Sequence, residues 1–313
     1  MKAWATVVFA MTLASLAFGL AGERSFRVTL RVVDDEGKPV PKANARVSFE
    51  HVYATKESER VGASKGITDV DGRVTLEGKT GEASVGYDAE MSGHYQTWGL
   101  RYDFNGAKMF RWQPWNPTIE VLLKRIKNPV PMYAKRLALS LPKLDEPVGY
   151  DFVMGDWVAP HGQGKVADVT FVGKSHTEGD RKFDWQLQVT FLHPGDGIQR
   201  FKPDSESAVF RSTYEAPAEG YLSDWKLRRW RNGPVEPEQT TFDRKAGYYF
   251  RVRTELDQDG KVVKALYGKI YGDFFDMVYY LNPDGTRNME YDSKRNLLKP
   301  AKPRDRDLYE VGP

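Results

Sequence analysis

Short stretches in which apolar and polar residues alternate run through most of the chain, and long stretches with helical spacing are nearly absent. Phe26 to Val33 reads FRVTLRVV and Gly247 to Leu256 reads GYYFRVRTEL. Both are rich in β-branched or aromatic residues at a period of two, which marks strands with one buried face. Between such stretches stand Asp35-Glu36-Gly37, Asp71-Gly72, Asp259-Gly260 and Asp284-Gly285, where the backbone can take positive φ at low cost. The spacing predicts a hairpin from Tyr248 to Tyr271 that turns at DQDG. A second should join Lys165–Val172 to Phe183–Leu192 across the polar KSHTEGDRK. The expected fold class is all-β, a smaller β-sandwich followed by a larger antiparallel β-sandwich.

Prolines suggest where the two units divide. After Leu122-Leu123-Lys124 the chain carries Pro129, Pro131, Pro142 and Pro147. That density removes ladder donors and stops helices, so an extended connector is expected over 126–147, between a first domain at 23–125 and a second at 148–313. Residues 300–313 read as a charged, Pro-containing tail that is loosely held.

The N-terminus has the layout of a secretory signal. Met1 and Lys2 precede the uncharged run Ala3–Leu20, and Gly19 and Ala21 stand at the −3 and −1 places of a small-residue cleavage site. Residues 1–21 are therefore expected to be a signal peptide, with a mature chain starting near Gly22 that is secreted, periplasmic or in the cell envelope. An uncleaved anchor is the competing reading, since about 18 apolar residues can just span a bilayer. Once the segment is cleaved, no membrane partner is expected.

Composition then removes several classes of function. With no Cys in 313 residues, disulfide scaffolds and Cys-ligated metal centres are excluded. The net charge of +3, from 46 basic and 43 acidic residues, gives no global field for nucleic acid, so no nucleic-acid partner is expected. Gly62-Ala63-Ser64-Lys65-Gly66 matches the nucleophile-elbow spacing, but strand and turn residues follow it where that motif needs a helix. No two of His51, His94, His161, His176 and His193 lie within four residues of each other, so no helical metal pair exists. His193 stands in a tight turn in which Asp196 could orient its imidazole. Asp69 and Asp71 lack the further acids of a calcium loop. We therefore expect no catalytic residue, no metal and no cofactor.

Two stretches of the first domain resemble the carboxypeptidase regulatory-like family, a transthyretin-like β-sandwich. Gly37-Lys38-Pro39-Val40-Pro41-Lys42-Ala43-Asn44-Ala45-Arg46-Val47 is similar to the family's opening motif, with Lys42 where Gly is usual and Ala45 where Val is usual. Thr68-Asp69-Val70-Asp71-Gly72-Arg73-Val74-Thr75-Leu76 resembles its second turn. The resemblance covers about a third of the chain. It implies a fold and a supporting role as spacer, scaffold or adhesion module beside a functional domain.

The aromatic content, 8 Trp, 16 Tyr and 16 Phe, offers the remaining clue. Phe110 to Pro117 alternates poorly, so Trp112 and Trp115 should not both face one interior. In Trp225-Lys226-Leu227-Arg228-Arg229-Trp230-Arg231-Asn232, cations surround two rings. In a strand Trp225, Leu227 and Arg229 share one face, and Lys226, Arg228 and Trp230 the other. Two readings of this strand stand side by side. One is ligand binding by Trp225, Arg228, Arg229, Trp230 and Arg231, with rings stacking on sugars and arginines gripping acidic groups. The other is an edge strand defended by charge. The function expected is an exported, non-enzymatic binding or scaffold protein whose partner is a polysaccharide or another envelope protein. The alternatives are a polysaccharide-active hydrolase or lyase using acids such as Asp151, Asp156, Asp273 and Asp276, and a structural protein that assembles through exposed strand edges.

Overall fold

A computed structural model describes residues 22–51, 60–138, 140–178, 182–203, 208–274 and 276–313. The signal-peptide expectation at 1–21 lies outside them. The chain divides into two compact units at Ile126/Lys127, with Ala208 and Val209 counted in the first. The regular secondary structure of the described residues is almost entirely β-strand. No helix among them is long and apolar enough to cross a membrane.

The first unit contains β1 (Arg24–Val33), β2 (Asn44–Glu50), β3 (Val61–Ile67), β4 (Arg73–Thr80), β5 (Ser84–Glu90), β6 (Thr97–Asp103), β7 (Gly106–Lys108), β8 (Arg111–Gln113) and β9 (Thr118–Leu122). One sheet runs β4-β1-β8-β7 with β9 also on β1, and the other runs β3-β2-β5-β6. Alternation dictates the packing: Phe26, Val28, Leu30 and Val32 of β1 share a core with Ala45, Val47, Val85, Tyr87 and Ala89 of the second sheet. The second motif forms a latched corner. The Thr68 hydroxyl donates to the Val40 carbonyl at 2.7 Å and accepts from the Ala43 N–H at 2.8 Å. Asp69 accepts the N–H groups of Asp71 and Arg73 at 2.9 and 2.8 Å, which is turn chemistry. Gly72 has φ +71, and a Cβ there would lie 2.4 Å from the Val32 carbonyl oxygen, so only glycine fits. Lys42, by contrast, takes φ +64 as a non-glycine residue.

The second unit contains β10 (Val130–Ala138), β11 (Val148–Asp151), β12 (Asp156–Trp157), β13 (Val169–Glu178), β14 (Lys182–Thr190), β15 (Gly197–Phe201), β16 (Asp224–Arg231), β17 (Gln239–Thr240), β18 (Gly247–Leu256), β19 (Val262–Asp273), β20 (Asp276–Asn282) and β21 (Tyr291–Asn296). Its sheets run β15-β18-β19-β20-β10-β21 and β12-β11-β13-β14-β16-β17. The first of these is covered on both faces. Tyr248, Phe250, Val252 and Ile270 pack with Phe171, Leu187 and Val189 of the other sheet, while Tyr271, Tyr280 and Tyr291 form a separate cluster with Met132 and Val311. Burial on both faces is why β18 reads as a nearly continuous apolar run.

Three sequence expectations are corrected here. The connector expected over 126–147 contains β10, a strand between β20 and β21. Its prolines are tolerated because Pro131 sits where the β10–β21 register shifts, between Val130 and Met132, and ladder pairing with β20 begins only at Tyr133. The tail is docked: Val311 is buried, the Asn296 side-chain amide donates to the Tyr309 carbonyl at 2.9 Å, and the Tyr280 hydroxyl to the Gly312 carbonyl. In the β13–β14 hairpin the strands run through most of the stretch expected as a turn, to Glu178 opposite Lys182.

Candidate binding and assembly surfaces

The five predicted ligand-binding residues lie on β16, and the pleat splits them between two faces. β16 is paired with β14 along its whole length and with β17 at Arg229 and Trp230, so it is not a bare edge. Trp225 is turned inward, its ring 5.5 Å from that of Tyr248 and packed against the core beside buried Leu227. That placement removes Trp225 from any open ligand face. Arg229 lies on the same side and grips Glu238 with two bonds of 2.6 and 3.0 Å, and Arg231 follows it with its side chain partly buried.

Arg228 and Trp230 face the other way. The register builds cross-strand rows on that outer face: Val172, Gln188 and Lys226; Lys174, Gln186 and Arg228; His176, Asp184 and Trp230. Arg228 donates to both oxygens of Asp184, at 3.0 and 2.9 Å, while its guanidinium carbon sits 4.6 Å from the Trp230 ring centre. These hydrogen bonds hold the Asp184 carboxyl below its ordinary pKa. The rows floor a shallow hollow of about 480 Å³ that includes Lys174, Gln186, Gln188, Lys226, Arg228 and Thr241. A hollow lined by amides, two lysines and the paired Arg228 can hydrogen-bond a polyol. Its arginine, already committed to Asp184, is poorly placed to grip an anion.

A different surface lies along β3, which the sequence presented only as a false nucleophile elbow. β3 pairs with β2 over all seven residues. Among the described residues no other backbone group bonds its outer side. Its inward positions are Gly62, Ser64 and Gly66, kept small because a Cβ at 62 or 66 would fall within 2.6 Å of Phe49 or Val74 side-chain atoms. Its outward positions are Val61, Ala63, Lys65 and Ile67, with Val61 63% and Ile67 65% exposed. The strand contains no proline and a single charge. In the second unit three of the four outermost strands are short or bridged: β12 and β17 are two residues each, and β15 is bridged by Leu222.

The acids considered for catalysis do not converge as a free pair. Asp156 accepts the N–H groups of Trp157 and Gln163, and Asp273 accepts that of Asp276. Asp151 meets Asp168 instead, a residue the sequence gave no reason to single out, and Arg253 bridges them at 2.8 to 3.1 Å. Burial pushes the Asp168 carboxyl up despite Arg253. For Asp151 burial acts in the same sense, but the N–H groups of Lys165, Met154 and Val166, with Arg253, outweigh it and hold the carboxyl down. Asp196 does not orient His193. It accepts the N–H groups of Arg253 and Thr254 at 3.1 and 2.9 Å, fixing a bulge in β18. These acids are spent on holding backbone. Among the described residues, no three His, Cys, Asp or Glu side chains are placed to hold a metal.

No family model matches the chain, and no curated protein matches it. Among solved structures, 33% of the chain is similar to 60% of 3-chlorocatechol 1,2-dioxygenase from Rhodococcus opacus 1CP, at 11% identity and a TM-score of 0.26. A further likeness links 34% of the chain to 54% of catechol 1,2-dioxygenase from Acinetobacter sp. ADP1, at 10% identity and 0.25. The chain thus spans less than two thirds of either dioxygenase. A third covers 74% of the chain and 89% of the shaft pilin spaA from Lactobacillus rhamnosus GG, at 10% identity and 0.23. Likenesses this distant carry no function across.

Proposed function

We propose that this is an exported structural protein of the cell envelope or exterior that assembles by strand addition, with β3 pairing edge to edge with β3 of another copy. The carrying observation is the seven-residue edge of β3, open among the described residues, with Val61 and Ile67 exposed on its outer row. An unpaired edge of this kind is a template for another strand, and proteins that remain single normally block it with charge, proline or a bulge. The latched Thr68–Gly72 corner supports reading the first unit as a transthyretin-like scaffold module of the carboxypeptidase regulatory-like type. Sedimentation velocity tests the assembly: the parent chain should gain mass with concentration, and Val61→Lys with Ile67→Lys should stay folded and monomeric. Equal association of parent and variant would refute it.

A second reading rests on the outer face of β13, β14 and β16. The hollow next to Trp230 supports glycan binding through its amides, with Arg228 already held by Asp184. Trp230→Ala should weaken glycan binding about tenfold, on the scale of one stacking ring. Titration against neutral oligosaccharides checks this, and unchanged affinity would remove Trp230 from the surface.

A further inference from the structure

The hairpin of β7 and β8 places its two least suitable residues at its tip. Lys108 pairs with Arg111, so the turn consists of Met109 and Phe110 alone. Met109 takes φ +53, where a two-residue hairpin turn ordinarily uses Gly or Asn. It is 85% exposed and Phe110 82% exposed. The fold gains nothing from a Met held in a left-handed conformation and pointing into water; Gly would sit there without strain. The base of the hairpin, in contrast, is fixed. Trp112 is buried, its indole N–H donates to the Thr80 carbonyl at 3.1 Å, and the Ser25 N–H donates to the Phe110 carbonyl at 2.9 Å. From Phe104 to Pro117 the chain contains Lys108 and Arg111 and no acid. Arg111 lies over the half-buried Trp115 ring at 4.7 Å.

We infer that this tip is a membrane-surface anchor: Met109 and Phe110 enter the headgroup boundary of an anionic bilayer while Lys108 and Arg111 meet lipid phosphates and Trp115 sits at the interface. Apolar residues at the point of a projecting hairpin, flanked by two cations and backed by a Trp, divide their chemistry along one direction as a bilayer surface does. A protein pocket would satisfy the two apolar side chains, but the cations Lys108 and Arg111 that flank them, in a stretch with no acid from Phe104 to Pro117, match negatively charged headgroups. The contact is peripheral and spans nothing. It departs from the expectation that no membrane partner remains once residues 1–21 are removed.

The test uses the chain from Gly22 onward, which retains every strand of both units. Because the sequence has no Cys, Met109→Cys carries a polarity-sensitive dye at a unique site. With vesicles of phosphatidylcholine containing phosphatidylglycerol, the dye emission should shift to the blue and the protein should float with the lipid. Vesicles of phosphatidylcholine alone should bind less. Phe110→Ser should weaken binding about tenfold or more, the equivalent of losing one buried large apolar side chain. Lys108→Glu and added salt should weaken it as well, through lost attraction and screening. Melting temperature should change little, since both tip side chains are more than four-fifths exposed. An unshifted dye signal with vesicles, or Phe110→Ser binding as well as the parent, would overturn the proposal.

Discussion

At single positions the chain carries strain and buried charge that make opposite demands. Lys42 sits at φ +64 with its side chain exposed, where the left-handed backbone costs an L-residue roughly 1 kcal/mol or more. Lys42→Gly should therefore be neutral or stabilising by about 0.5 kcal/mol after the entropy of glycine is charged against it, and Lys42→Val should destabilise by about 1–2 kcal/mol. Thermal melts of the pair check the sign. Arg253 is the second such position, because it bridges Asp151 and Asp168, whose side chains are 2% and 0% exposed. Arg253→Met would leave two buried carboxylates facing each other and should cost roughly 3 kcal/mol near neutral pH. The sign with pH follows from linkage. Without the guanidinium both carboxyls lose an attraction that favours their charged forms, and Asp168, already raised by burial, moves further above its unfolded value, so the folded form takes up a proton first as pH falls. The deficit should shrink between pH 7 and about pH 4. Melts across that range would contradict the account if the deficit grew on acidification.

At the scale of strands, the two tryptophans of β16 separate what was legible from what was not. Alternation places Trp225 with Leu227 and Trp230 with Arg228, and the pleat does the same. Which face is the inner one follows from contacts far along the chain, with Tyr248 on one side and Asp184 on the other. Trp225→Ala should accordingly cost about 2–3 kcal/mol, and Trp230→Ala less than about 1 kcal/mol, by chemical denaturation. Equal losses would mean that both rings are core. β1 was readable because alternation and turn residues agree; β18 was readable from its aromatic and β-branched residues before a turn, although burial on both faces replaces the one buried face that a period of two implies. β10 was hidden because proline normally argues against an inner strand, and its bulge at Pro131 is set by the remote strand β21. The pairing of Asp151 was hidden for a similar reason: Arg253, which joins it to Asp168, is 102 residues from Asp151 and 85 from Asp168. The edge character of β3 needed the sheet order, since GASKG by itself suggests either a motif match or a loop.

For the whole molecule, the long edge of β3 is the surface that bears on function: among the described residues its seven positions pair on one side only, and both ends are apolar and exposed. Assembly through β3 is therefore the claim on which the functional account turns. Residue-resolved amide hydrogen exchange at low and high protein concentration measures it directly, because strand addition must bond the outward N–H groups of residues 61–67. The account predicts that these amides exchange more slowly as concentration rises, while the already paired amides of β18 do not change. Exchange from β3 that is fast and independent of concentration would contradict it.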